Sequence, residues 1–263
     1  MPDGNWLAQL GALVIHNDPV AESELWAMAP PGVTLHSARF ESPTSTGAEY
    51  TGSSWRMFVD SADVTRGLRQ LGQMELSAIC LCFGSCSFFG GAEFDEGFTA
   101  AAREKAGGTP VFTAAQAILG ALAAAGIRRP LVVMPPWFTR PTFDAAERYL
   151  AAAGFPAAGV LRFELGGRWR DVPHHRLFDL GAHREIRVED VCEQVGAAFP
   201  ADADGVLVPG SGFRSWEAIE PLERALGVPV VTANQAVLWR LLDRTGVEVA
   251  VPGGGRLFSE HGG

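Results

Sequence analysis

Short apolar runs alternate along the chain with stretches whose apolar positions recur at helical spacing. Residues 10–16 form the first apolar run, and 33–40 alternate as a half-buried strand does. Residues 76–83 are continuously apolar, as expected of a strand covered on both faces. Helical periodicity occupies 21–29, 54–71 and 92–105, and a short strand follows at 110–113. The second half repeats the alternation, with strands at 131–134, 159–164, 206–209 and 229–232. Its helices fall at 142–153, 188–198, 215–226 and 235–245. Strands separated by helices predict an α/β fold with mainly parallel sheets and helices on both faces.

Two stretches are copies of one another. TPVFTAAQAIL at 109–119 and VPVVTANQAVL at 228–238 share Pro-Val-x-Thr-Ala-x-Gln-Ala at matched offsets. Each copy follows a helix, and each of those helices follows a strand ending in Gly-Ser: Gly84 and Ser85 in one half, Gly210 and Ser211 in the other. Duplication of this kind predicts two doubly wound α/β halves related by pseudo-two-fold symmetry, at 1–113 and 114–232. A C-terminal helix and tail, 233–263, is expected to pack back on the N-terminal half. Ligands of open α/β sheets bind beyond the carboxyl ends of the strands. Both Gly-Ser turns fall there and lead toward helix N-termini, where free N–H groups favour an anion. Two such turns across a cleft are suited to a carboxylate or an enolate-like transition state.

Composition narrows the partners. With 263 residues, 47% of them hydrophobic, the chain can bury a full core. Its formal net charge is −9 and it has no lysine/arginine run, which argues against an extended nucleic-acid surface and leaves a small molecule as the expected partner. Apolar stretches are strand-length or broken by charge, so no membrane span is expected, and no basic-then-apolar leader is visible. Cys80, Cys82 and Cys86 crowd together and Cys192 stands apart. That is neither a disulfide framework nor a paired CxxC metal motif, so a reducing cytoplasm and no metal are expected.

At these same residues the chain resembles the aspartate/glutamate racemase superfamily, in its branch of maleate cis–trans isomerases and arylmalonate decarboxylases. DPVAESELWAMAP at 18–30 with GVTLHSAR at 32–39 is similar to the N-terminal segment of maleate isomerases. SCSFFGGAEF at 85–94 is similar to the first active-site turn and helix of arylmalonate decarboxylases. DGVLV at 204–208, AIEPLERALGVPVV at 218–231, NQA at 234–236 and GRLF at 255–258 also fit. The resemblance spans nearly the whole chain except an insertion at 166–184. It implies an enzyme without metal or organic cofactor, acting on a small carboxylate between the halves, and a homodimer or higher oligomer. It also implies one or two cysteines, one per half, as acid, base or nucleophile. Here Phe83 stands where the first would be and Gly210 where the second would be, and the usual tyrosine after the middle strand gives way to Pro136, Trp137 and Phe138.

The candidate residues follow. Cys86, three positions beyond the first family site, is either a displaced nucleophile or proton donor, or an apolar filler. Asp18 is either a general acid/base at the end of the first strand or a helix cap. Asn17, Gly84, Ser85, Trp137, Phe138, Gly210, Ser211 and Asn234 are the expected substrate-binding residues, against turn formation, capping and core packing as their ordinary roles. Cys80, Cys82 and Cys192 are expected in the core. In the insertion, His174 and His175 with Trp169 and Arg170 form either a lid or a solvated loop. The leading expectation is an isomerase working through an enolate-like species. Its alternatives are a decarboxylase or other lyase, and a non-catalytic carboxylate-binding subunit.

Overall fold

The computed structural model describes residues 7–41, 49–247 and 249–261. The N-terminal half runs β1 (Ala8–Ile15), α1 (Val20–Met28), β2 (Val33–Phe40), α2 (Trp55–Val59), α3 (Ala62–Leu71), β3 (Ala78–Cys82), α4 (Ser85–Lys105) and β4 (Val111–Thr113). Helix α5 (Ala114–Ala124) leads to the second half: β5 (Pro130–Met134), α6 (Arg140–Ala152), β6 (Gly159–Arg162), α7 (His174–Leu177), α8 (Val188–Ala198), β7 (Gly205–Val208), α9 (Ile219–Leu226) and β8 (Val230–Thr232). Helices α10 (Ala233–Asp243) and α11 (Gly255–His261) close the chain.

Two four-stranded parallel sheets result, ordered β2-β1-β3-β4 and β6-β5-β7-β8. The order is the same in both halves, as the repeated sequence predicts. In each sheet the connection reverses direction beside the central strand, between β1 and β3 and between β5 and β7. Such a switch point leaves a crevice at the strand ends, because successive helices leave it toward opposite faces.

The repeated motif has a local physical reason. Thr113 Oγ1 accepts the Gln116 N–H at 3.2 Å while Gln116 Oε1 accepts the Thr113 N–H at 3.1 Å. Thr232 and Gln235 make the same reciprocal pair at 3.4 and 2.9 Å. Thr-x-x-Gln is a capping box, and each copy starts its helix directly from a strand. The two helices so started, α5 and α10, pack on each other, and α10 also reaches α1 and β3. One apolar cluster therefore takes side chains from both sheets, among them Leu10, Val14 and Cys82 with Val132, Met134 and Leu207.

Two helices differ from the periodicity. Residues 54–71 form two helices, because Ser61 Oγ turns back to the Phe58 carbonyl at 2.9 Å and opens a new N-terminus before α3. Helix α4 starts seven residues earlier than the pattern predicts and is kinked at Gly91, whose φ of 65° only glycine adopts readily. The Gly90-Gly91 pair conceals its first two turns from a propensity reading. Among the described residues no helix is long and apolar enough to cross a membrane, and no group of three or more His, Cys, Asp or Glu side chains could hold a metal ion.

Candidate active site

The loops after β1, β3, β5 and β7 meet around a cavity of about 470 Å³. Gly84 and Ser85 enter it from the first half, and Gly210 and Ser211 from the second. The turns approach closely: a β-carbon built on Gly84 would lie 3.7 Å from the Pro209 carbonyl oxygen and 3.3 Å from the Phe88 ring. Among the described residues, the Gly84 and Ser85 N–H groups at the head of α4 are not used by backbone hydrogen bonds, nor are those of Ser211 and Gly212. Ser85 is only 7% exposed, and its hydroxyl has no protein partner among the described residues. These are the donors an oxyanion needs, held in a partly dry site.

Asn17 and Asp18 follow β1, and both line the cavity. Arg39 pins their loop from below, donating to the Ile15, His16 and Asp18 carbonyls at 3.0–3.3 Å. Asp18 caps α1 and also lines the cavity. Its Oδ1 accepts the first N–H groups of α1, Val20 at 2.7 Å and Ala21 at 3.2 Å. Its Oδ2 takes a longer bond of 3.4 Å from the Ser211 hydroxyl, across the cleft. Burial raises its pKa above the ordinary carboxylate value, against the lowering effect of those donors. One wall is aromatic: Trp137 and Phe138 line it, and Trp137 meets Phe178 edge-on at 4.9 Å between centroids.

Two candidates lie elsewhere. Cys86 does not line the cavity. It is fully buried in the core beneath the sheet with Leu13, Phe40, Phe94 and Phe98. It accepts a hydrogen bond from the Tyr50 hydroxyl at 3.3 Å, and burial pushes its thiol well up, so it is held as a neutral thiol. Changing Cys86 to Ala is expected to leave kcat/KM near wild type while lowering unfolding stability by about 1–2 kcal/mol. Steady-state kinetics beside denaturant unfolding checks this, and a collapse of kcat in a folded variant would return Cys86 to the reaction.

Asn234 is likewise fully buried, behind the second turn instead of in the cavity. Its amide donates to the Ser211 carbonyl at 2.9 Å and to Glu24 Oε2 at 2.8 Å. Glu24 Oε1 accepts the Ser215 and Trp216 N–H groups at 2.7 and 3.0 Å. The matching position in the other repeat is Ala115, so only the second turn carries this clamp.

An aromatic ring occupies the first family cysteine position, and close contact restricts the second. Phe83 packs against Phe40, Tyr50 and Phe58. A β-carbon on Gly210 would fall 2.3 Å from Pro135 Cγ, and the stiff proline ring has nowhere to turn. Among the described residues no cysteine lines the cavity.

Several lining residues carried no signal in the sequence. Glu49 and Tyr50 lie in a stretch without periodicity, and Glu41, Thr139 and Thr142 border segments that read as ordinary strand or helix ends. The insertion supplies His175, Phe178 and Asp179 to the cavity, and Asn17 Nδ2 donates to Asp179 Oδ1 at 2.9 Å across it. His174 points the other way, between the Pro136 carbonyl at 2.8 Å and Arg162 at 3.0 Å. The histidine pair is legible in the sequence; which of the two lines the cavity is not.

Comparison with known proteins agrees with this architecture. Residues 49–258 match the family described as arylmalonate decarboxylase. The arylmalonate decarboxylase of Bordetella bronchiseptica is 33% identical over 193 residues, covering 73% of this chain and 75% of the relative. The solved structure of unliganded arylmalonate decarboxylase superposes with a TM-score of 0.77 at 24% identity, covering 96% of this chain and 99% of that one. The maleate isomerase Iso of Pseudomonas putida S16 superposes with a TM-score of 0.77 at 20% identity, covering 96% and 98%.

Proposed function

This chain belongs to the arylmalonate decarboxylase family and is an enzyme of decarboxylase or isomerase type, and from that premise we propose that it decarboxylates a 2-substituted malonate, with Asp18 as the proton donor. The observation that carries the reading is a buried carboxyl group beside the Ser211 turn, in a cavity that no cysteine lines among the described residues. Isomerisation by thiol addition to a double bond needs a nucleophile that the described lining does not supply. Decarboxylation needs an oxyanion site, a dry wall for the departing carboxylate and one acid.

One substrate carboxylate sits against the unused N–H groups of the two Gly-Ser turns and the Ser85 hydroxyl. The other lies against the aromatic side formed by Phe83, Trp137 and Phe138, where loss of water weakens its hold on charge. The bond from the α-carbon to this second carboxylate breaks and carbon dioxide leaves. The electron pair moves into the retained carboxylate, giving an enediolate that the turn donors stabilise. The Asp18 carboxyl then delivers its proton to the α-carbon, and the resulting carboxylate recovers a proton from water. Burial suits Asp18 to this part because it favours the neutral form.

Incubation with a 2-arylmalonate is expected to release carbon dioxide and give the monoacid, carrying one deuterium at the α-carbon when run in D2O. Gas release and NMR of the product report this directly. Conversion of maleate to fumarate with no carbon dioxide from any malonate would replace the proposal with the isomerase reading. Ligand-dependent stabilisation without turnover of any such acid would favour a binding role instead.

A further inference from the structure

The two Gly-Ser turns are held in different ways. The first opens directly into α4, so its N–H groups belong to a long helix. The second has no such support: residues 209–215 are irregular, and α9 starts only at Ile219. Among the described residues one backbone hydrogen bond closes this turn from within, from the Phe213 N–H to the Gly210 carbonyl at 3.1 Å. Glycine stands on both sides of Ser211, so the segment has little stiffness of its own. Donors aimed at an oxyanion work only when they are fixed where charge develops, so the stiffness must come from outside.

Two buried side chains supply it. Asn234, at the head of α10, uses both N–H bonds of its amide, one on the Ser211 carbonyl at 2.9 Å and one on Glu24 Oε2 at 2.8 Å. Glu24 Oε1 takes the Ser215 and Trp216 N–H groups at 2.7 and 3.0 Å, so the segment is gripped at both ends. Asn234 Oδ1 is buried and makes no hydrogen bond, so the amide serves through its donors alone. Packing by itself would be met by an alanine, as at Ala115 in the other repeat. Glu24 also ties the turn to the acid. It projects from α1, the helix whose first N–H groups are held by Asp18 Oδ1. Across the cleft the Ser211 hydroxyl meets Asp18 Oδ2 at 3.4 Å and the Cys82 carbonyl at 3.3 Å.

We propose that Glu24 and Asn234 are positioning residues of the reaction, which hold the Ser211 turn at a fixed place relative to Asp18 through helix α1. Neither touches the substrate. Their part is to keep the second set of N–H donors on the enediolate oxygens while Asp18 faces the α-carbon. This rests on the decarboxylase reading for what the turn and Asp18 do.

The test pairs kinetics with binding of two unreactive anions, an arylacetate and the nitronate of an arylnitromethane. The nitronate is planar and carries its charge on two oxygens, as the enediolate does. Glu24→Gln keeps the shape and one oxygen for Ser215 and Trp216 but turns an NH2 group toward the Asn234 NH2 group. Asn234→Ala removes both donors, and should it fail to fold, Glu24→Gln carries the test. Both variants are expected to lower kcat on an arylmalonate by about 10–10²-fold, with KM within about threefold. The ratio of nitronate to arylacetate affinity is expected to fall by about tenfold. Val195→Ala is the control, a buried position on α8 outside the cavity lining whose truncation costs stability without touching the turn. It should leave both kcat and the ratio unchanged. Folded clamp variants that keep the wild-type kcat and ratio, or lose no more than Val195→Ala does, would overturn the proposal, as would a wild type with no preference for the nitronate. The outcome is separable from the reaction itself. Clamp-dependent nitronate binding without carbon dioxide release from any arylmalonate removes the decarboxylase reading and keeps the clamp. Decarboxylation at the wild-type rate in the folded variants does the reverse.

Discussion

Replacing Asp18 with Asn is expected to lower kcat/KM by about 10²–10⁴-fold while leaving the protein folded. The fold survives because the asparagine oxygen still accepts the Val20 and Ala21 N–H groups that start α1. The Ser211 contact across the cleft is also one an amide can make. What disappears is the transferable proton. The pH profile distinguishes this from a positional effect. In the proposed reaction Asp18 acts in its protonated form, and burial has raised its pKa, so kcat/KM is expected to fall as pH rises through that raised value. The residual rate of the Asn variant should lack this limb. Burial raises the pKa of the neighbouring Glu24 as well, and the Asp18 charge adds a smaller push in the same direction. His183 does little to reverse it, since burial and the neighbouring Arg184 lower its pKa. A variant that keeps the wild-type rate and profile would remove Asp18 from proton transfer.

The alternation of strands and helices, the duplicated half and the two Gly-Ser turns are all legible in the sequence, because they depend on short-range chemistry. Thr113 and Gln116 cap a helix three residues away, and glycine opens a turn wherever it stands. The side-chain assignments are harder for a geometric reason. Ser85 and Cys86 are neighbours at the head of α4, and a helix rotates by about 100° per residue. One step carries the side chain from the cavity lining at Ser85 to the fully buried aromatic core at Cys86. A sequence motif places the turn, but a one-residue phase decides which side chain faces the substrate. Asn234 fails for another reason. Its role depends on Glu24, 210 positions away, and no local pattern announces that pairing. Glu49 and Asp179 join Asn17 in the lining only because the segment before α2 and the insertion converge on the β1 loop.

The largest stability effect is expected at Asp95, which is buried on α4 and takes its side-chain hydrogen bonds from neutral hydroxyls. Its Oδ1 accepts the Ser87 hydroxyl at 2.6 Å and the Thr113 hydroxyl at 2.7 Å, and its Oδ2 accepts the Tyr149 hydroxyl at 2.6 Å. These three donors come from the first turn of α4, the end of β4 and α6 of the opposite half. One carboxyl group thus fixes the helix that carries Ser85 against both halves of the molecule. Asp95→Ala leaves three buried hydroxyls without their acceptor and is expected to cost about 3–5 kcal/mol in denaturant unfolding. Asp95→Asn should cost less, since the hydroxyls can rotate to meet an amide, while Tyr149→Phe removes one donor alone and should cost about 1–2 kcal/mol. The pH dependence has a definite sign. Burial raises the folded-state pKa of Asp95, so the folded protein holds that proton more tightly than the unfolded chain does. Its contribution is fully present below the unfolded carboxylate pKa and is lost as pH rises through the folded value. The stability difference between wild type and Asp95→Asn should therefore shrink with rising pH across that window. A constant difference would mean that Asp95 acts through shape alone. A loss below about 1 kcal/mol for Asp95→Ala would mean that the hydroxyls find other partners and the hub does not join the halves.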